Sequence, residues 1–192
     1  MSDKPSYLGL LNAIAIAESR AHTYLCAWAQ RTPSDDVRRV LLRVAAREGE
    51  HGMSFAKRIN ELGYEVREKD DGESAAAMAI VCSERSDLEK MKALKLHKLD
   101  TGSEPDIFDG FFADHTIDIR TGELLGRYIA EERDSARLLR ACYEELKRAG
   151  RSTSSNGGET LASLDSKVDA LCRAVEELRQ IVCAQAMPAG TA

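Results

Sequence analysis

The sequence predicts an all-α protein, in which a four-helix bundle is followed by a C-terminal coiled-coil helix. The composition is rich in Ala, Leu, Glu and Arg, with four Pro among 192 residues and 5% aromatic residues, as is typical of helical proteins. Apolar residues recur every three or four positions along long stretches, which places them on one face of a helix. Near the C-terminus they alternate strictly by three and four, which is the heptad pattern of a coiled coil.

The first two helices are predicted from about Ser6 to Gln30 and from Ser34 to Gly63. Pro33 breaks the periodic pattern between them, and Ser34 is a suitable N-cap because acidic residues follow it in the first turn. A glycine at position 63 commonly ends a helix. The short connection predicts that the two helices pack as an antiparallel pair.

The third and fourth helices are less regular in sequence. In the third, residues 75–81 can be helical, and Ser83 or Ser86 can cap a second segment that reaches about Leu99. Residues 100–105 form a turn-rich break. The fourth helix is predicted from Thr116 or Thr121 to Ala149, and its apolar face is interrupted by Glu132.

Residues 1–149 are thus predicted to form the bundle, residues 150–158 (GRSTSSNGG) a flexible linker, and residues 159–186 a coiled-coil helix. The heptad positions a and d are Leu161, Leu164, Val168, Leu171, Val175, Leu178 and Val182. Val at a with Leu at d favours a parallel two-stranded coiled coil, so a homo-oligomer is expected. A fifth helix folded back on the bundle would show a similar apolar stripe and is the alternative.

Charge and composition exclude several classes of protein. The net charge of −5, with acidic and basic residues interspersed, argues against nucleic-acid binding. The longest apolar runs are too short to span a membrane, and the N-terminus lacks the apolar core of a signal peptide. The five cysteines include no C-x-x-C pair, which favours reduced thiols and a cytoplasmic location over a disulfide framework or a Cys-rich metal module.

Three residues on the apolar faces of the first two helices indicate a metal site. Glu18 and Glu48 each lie 15 residues from Pro33, so an antiparallel pair places them at the same height. His51 lies one turn beyond Glu48. Burying an unpaired carboxylate costs several kcal/mol, so a shared metal ion would explain both glutamates. Salt bridges to Arg20, Arg43 or Arg47 at the edge of the bundle are the alternative.

The motifs around these residues resemble those of a known family. The runs AESRAHTY around Glu18 and EGEH at residues 48–51, in their apolar setting, are similar to the first helical pair of rubrerythrins and of the wider ferritin-like superfamily. The resemblance covers about a quarter of the chain. It implies a ferritin-like four-helix bundle with a carboxylate-bridged di-iron site.

The resemblance also implies a second half-site, with a glutamate on the third helix and a Glu-x-x-His motif on the fourth. Here Glu132 aligns with the glutamate of that motif, and Ser135 stands where the histidine would be. Serine is a weak ligand, so the second ion would be bound more loosely, through water, Asp134 or Glu131, or not at all. On the third helix Glu84 is the expected ligand, with Glu89 as the alternative.

The expected metal ligands are therefore Glu18, Glu48, His51, Glu132 and Glu84, with iron as the metal, as a di-iron or a single-iron site, and manganese as the alternative. The implied function is that of an oxidoreductase of the peroxidase or ferroxidase type, acting on peroxide, O₂ or Fe(II). Because no rubredoxin-like cysteine set is present, a separate protein would donate the electrons. The alternative is a helical scaffold or interaction protein with a degenerate site, which oligomerises through its coiled coil.

Overall fold

The computed structural model describes residues 4–68, 72–98 and 114–155. Within them the chain is helical and contains no strand, which confirms the predicted all-α class. The elements are α1 (Leu8–Arg31), α2 (Asp35–Glu61), α3 (Glu73–Cys82), α4 (Asp87–Ala93), a short 3₁₀ helix (Leu96–Lys98) and α5 (Ile119–Ser155). The chain divides into two compact units, Met1–Lys147 and Arg148–Ala192, and the features below belong to the first.

Helices α1 and α2 begin and end within two residues of the predicted bounds. Ser34 caps α2 as expected, because its side chain accepts a hydrogen bond of 3.3 Å from the backbone N–H of Val37. The Arg38 guanidinium donates to the carbonyl oxygens of Ala29 and Thr32, at 3.0 and 2.6 Å. These bonds satisfy carbonyl groups at the end of α1 that have no partner within the helix.

The predicted third helix is broken into separate pieces. Helix α3 ends at Cys82, and the chain turns through residues 83–86 before α4 begins. Ser86 caps α4 as predicted, in a capping box in which its side chain and that of Glu89 each bond to the other's backbone N–H. Glu84 therefore lies in an exposed connection.

Helix α5 begins at Ile119, where the Asp118 carboxylate accepts hydrogen bonds from the backbone N–H groups of Arg120 and Thr121 at 3.0 and 3.2 Å. It continues to Ser155, so residues 150–155 of the predicted linker are helical. The rest of the linker and the predicted coiled coil at 159–186 lie outside the described residues. Among the helices that the structure describes, none offers the long apolar stretch that crossing a bilayer requires.

Two apolar clusters form the core. The Trp28 cluster consists of Leu25, Trp28, Ala29, Val37, Leu41, Val44, Ala45, Val81, Met91, Leu96, Leu139 and Cys142. The Phe55 cluster consists of Tyr7, Leu8, Leu11, Ile14, Ala15, Phe55, Ile59, Leu125, Tyr128 and Ile129. The N-terminal parts of α1 and α5 contribute to the Phe55 cluster, whereas the N-terminal part of α2 contributes to the Trp28 cluster. Helix α2 is therefore antiparallel to α1 and α5.

A buried polar contact attaches α4 to the end of α1. The Asp87 carboxylate accepts hydrogen bonds from the Trp28 indole N–H at 2.7 Å and from the Thr32 hydroxyl at 2.6 Å, and all three residues are buried.

We expect Asp87→Ala to lower the free energy of unfolding by about 2–4 kcal/mol, because two buried donors lose their acceptor. Urea denaturation followed by circular dichroism measures this. Glu84→Ala, an exposed acid three residues away, is the control and should change stability by less than about 0.5 kcal/mol. Equal losses in the two variants would contradict the prediction.

Candidate metal centre

Four side chains from three helices meet between the two apolar clusters. Glu18 of α1, Glu48 and His51 of α2, and Glu132 of α5 each present one ligand atom, and these atoms all lie within 4.8 Å of one another. Glu18, Glu48 and His51 are buried, and Glu132 is half-buried. The antiparallel course of α1 and α2 thus brings the two glutamates together, as their equal distance from Pro33 predicts.

Three of the facing atoms have no hydrogen-bond partner. They are Oε2 of Glu18, Nδ1 of His51 and Oε1 of Glu132, all of them buried. His51 Nδ1 lies 3.5 Å from each of the two carboxylate oxygens. Buried polar atoms are nearly always hydrogen-bonded, so three facing each other without a partner need an explanation. Two ligands held about 2.1 Å from one ion are separated by about 3.0–4.2 Å, and the two distances of 3.5 Å fall in this range.

The His51 ring is held in one orientation by a carboxylate from α5. Its Nε2 lies 2.7 Å from Oε2 of Glu131. The other oxygen of that carboxylate, Oε1, accepts a hydrogen bond of 3.1 Å from Nε of Arg127. A carboxylate can only accept here, so Nε2 carries the hydrogen and Nδ1 faces the cluster. Histidine ligands of metals are commonly oriented by such a carboxylate.

A tyrosine holds the Glu18 side chain in one orientation. The Tyr128 hydroxyl donates a hydrogen bond of 3.1 Å to Oε1 of Glu18, which leaves Oε2 facing the cluster. The Tyr128 ring also lies edge-on to His51, with 5.1 Å between the ring centres. Burial and the nearby carboxylates raise the pKa of Tyr128, so it remains a hydrogen-bond donor. Burial and the same carboxylates raise the pKa of Tyr24 to about 12.

The side chains of the cluster shift one another's pKa values. Burial and the neighbouring Glu18 carboxylate raise the pKa of Glu48 far above its ordinary value. Burial also opposes ionisation of Glu18, but the neighbouring His51 and Glu48 side chains lower its pKa overall. For His51, burial acts against the charged ring, yet the nearby carboxylates of Glu132, Glu18 and Glu131 raise its pKa to about 10. Without a metal, the cluster therefore retains protons to offset its negative charge, and a divalent cation can take their place.

The expected second half-site is not brought together. Ser135 is buried, and its hydroxyl accepts a hydrogen bond of 3.3 Å from Nη1 of Arg47. Nη2 of Arg47 lies 2.5 Å from Oδ2 of Asp134, and Arg43 approaches the same carboxylate oxygen to 3.6 Å. Asp134 or Glu131 was expected to replace the missing histidine ligand if a second ion is bound. Asp134 is instead paired with arginines, and Glu131 is paired with His51. In addition, Arg43 and Arg47 form their ion pairs with Asp134 and not with Glu18 or Glu48.

The expectation that Glu84 contributes a ligand is not supported, since Glu84 is not part of the group of facing side chains. Glu84 was expected on the third helix, but α3 ends two residues before it. Glu89, the alternative, is exposed and bonds to Ser86 in the capping box. Among the described residues, no acid of α3 or α4 joins the four side chains.

Two glycines allow α1 and α2 to approach closely beside the site, which sequence analysis overlooked. A Cβ atom on Gly52 would lie 2.5 Å from Oγ and 3.1 Å from the backbone nitrogen of Ser19, next to Glu18. A Cβ on Gly49 would lie 2.8 Å from Nδ1 of His22. That His22 nitrogen is 2.7 Å from the carbonyl oxygen of Ala45, so His22 connects the two helices. The G-x-x-G spacing of Gly49 and Gly52 on α2 could have indicated this close approach of the helices from the sequence.

No family model, curated protein or solved structure matches this chain. Its function is therefore inferred from the arrangement of its own side chains.

Proposed function

We propose that this protein is an iron-binding, ferritin-like protein that holds its metal through Glu18, Glu48, His51 and Glu132, with manganese as the alternative metal. The observation that carries the proposal is the convergence of three buried polar atoms without partners, on Glu18, His51 and Glu132. A metal ion bound by these atoms would give each a partner and would offset the cost of burying them.

The proposed architecture is a ferritin-like four-helix bundle related to that of rubrerythrins. Helices α1, α2 and α5 would be three of its members, and α3 with α4 would take the place of the fourth. Val81 of α3 and Met91 of α4 support this arrangement, because both are fully buried in the Trp28 cluster. Ligands that project inward from facing helices are a common way to build metal sites in such bundles.

The ligand types fit iron or manganese better than a soft metal, because carboxylates provide three of the four ligands and an imidazole the other. An iron ion bound here would supply one-electron redox chemistry toward O₂ or peroxide. Glu131 and Tyr128 would keep His51 and Glu18 in position, and the apolar clusters on both sides would limit the access of water. We therefore propose an oxidoreductase of the peroxidase or ferroxidase type, with electrons supplied by a separate protein.

Anaerobic loading with Fe(II) tests the proposal. We expect the purified protein to retain iron after desalting, and to oxidise it faster than Fe(II) in the same buffer when O₂ or hydrogen peroxide is added. Iron analysis and stopped-flow absorbance measure the two properties. If the folded protein retains neither iron nor manganese after loading, the proposal is wrong.

A second candidate function is that of a helical interaction protein with a degenerate site. Ser135 favours it, because this buried residue contacts Arg47 and offers no metal ligand comparable to a histidine. Self-association through residues 159–186 would then carry the function, and a homo-oligomer remains a prediction of the sequence. This candidate requires a protein that binds no transition metal yet has the mass of an oligomer in light scattering.

A further inference from the structure

We propose that the site holds one metal ion, and that the guanidinium group of Arg47 occupies the position that a second ion would need. This inference rests on the proposed metal-binding function and concerns its stoichiometry. The observation behind it is the pair of contacts from Arg47 of α2 to Asp134 and Ser135 of α5.

The position of Arg47 follows from the two helices that carry the cluster. Arg47 directly precedes Glu48 on α2, and Ser135 lies one turn beyond Glu132 on α5. A second ion held beside Glu132 would draw its next ligand from this turn of α5. Ser135 is buried there and bonds to Nη1 of Arg47 at 3.3 Å, while Nη2 of Arg47 is held 2.5 Å from Asp134.

The charge of Arg47 acts against a second cation. A guanidinium group does not deprotonate in proteins, so this positive charge is permanent. Asp134 cannot offset an additional ion, because Arg47 and Arg43 both lie against its carboxylate.

The available ligands are sufficient for a single ion. The three unpartnered atoms belong to Glu18, His51 and Glu132, and Glu48 completes the group. Glu131 is already engaged by His51 and Arg127. In the described part of the chain, neither α3 nor α4 brings a carboxylate to the group.

Manganese binding measures the stoichiometry directly. We expect the full-length protein to bind one Mn(II) per chain in equilibrium dialysis, and to give the six-line electron paramagnetic resonance spectrum of an isolated Mn(II) ion. Replacing Arg47→Ala together with Ser135→His removes the cation and adds a ligand, so we expect two Mn(II) per chain and an exchange-coupled spectrum. Because histidine is larger than serine, Arg47→Ala with Ser135→Asp is a second, smaller change with the same expected result.

Arg43→Ala is the matched control, because Arg43 contacts Asp134 but not Ser135, and this variant should still bind one Mn(II). Two Mn(II) per wild-type chain would overturn the role of Arg47 and leave the proposed function standing. No Mn(II) and no Fe(II) in the wild type would overturn the proposed function itself. If a double variant is folded by circular dichroism and still binds one ion, Arg47 does not exclude the second.

Discussion

Replacing Glu48 or His51 with alanine is expected to abolish retention of iron and manganese, with a loss of affinity of about 100-fold or more. Groups that only orient a metal ligand typically contribute 10–100-fold, so removing a ligand itself should cost at least as much. The loss follows from the geometry, because each variant removes one of the four facing ligand atoms from a buried cluster. Metal analysis after anaerobic loading and desalting measures it, with calorimetric titration of Mn(II) to give the affinities.

Glu50→Ala is the matched control for this prediction. Glu50 lies on the same helix between the two ligands, but its side chain is about half exposed and pairs with Arg127. Metal content should therefore stay at the wild-type level in this variant. Wild-type metal binding by Glu48→Ala and by His51→Ala would show that the metal is held elsewhere.

Gly52→Ala is expected to lower the free energy of unfolding by about 1–3 kcal/mol, the usual cost of overpacking a close contact. The added methyl group would meet the side chain and the backbone of Ser19 at 2.5 and 3.1 Å, so α1 and α2 must move apart. Glu18 and His51 are next to these positions and would be separated, so metal affinity should fall as well. Urea denaturation and Mn(II) titration measure the two effects.

Gly126→Ala provides the opposite result as a control. Gly126 lies within α5, and a Cβ atom there would have no neighbour within 4 Å. Alanine favours the helix over glycine, so this variant should be more stable by about 0.5–1 kcal/mol, with unchanged metal affinity. A Gly52→Ala protein as stable as the wild type would mean that the helices do not depend on the close approach at Ser19.

The part of the site on α1 and α2 could be predicted because it depends on local sequence. Glu18, Glu48 and His51 interrupt otherwise apolar helical faces, and the short connection at Pro33 fixes their relative height. Glu132 was predictable for the same reason, since it interrupts the apolar face of α5. The helix ends at Ser34 and Ser86 were also predictable, because side-chain capping acts over three residues.

The rest of the site depends on contacts between distant parts of the chain. The third helix is split into α3 and α4, and the start of α4 is attached to α1 by the bonds from Trp28 and Thr32 to Asp87. The local sequence contains no information on such a contact, so Glu84 was expected on the third helix although it lies in the connection between α3 and α4. A sequence also does not show which of several neighbouring arginines contacts another helix. The position of Arg47 is defined by its bonds to Asp134 and Ser135 of α5.

Of the four facing side chains Glu132 is the most exposed, so the site lies nearest to solvent on the side of α5. His51 and Glu18 are 3% and 7% exposed in their side chains, whereas Glu132 and the adjacent Glu131 are 24% and 28% exposed. An ion or small oxidant would therefore reach the proposed metal from the side of Glu131 and Glu132, where Arg127 pairs with Glu131 and Glu50. The size and charge of this solvent-exposed side of the site, more than the ligands themselves, would decide which molecules reach the metal.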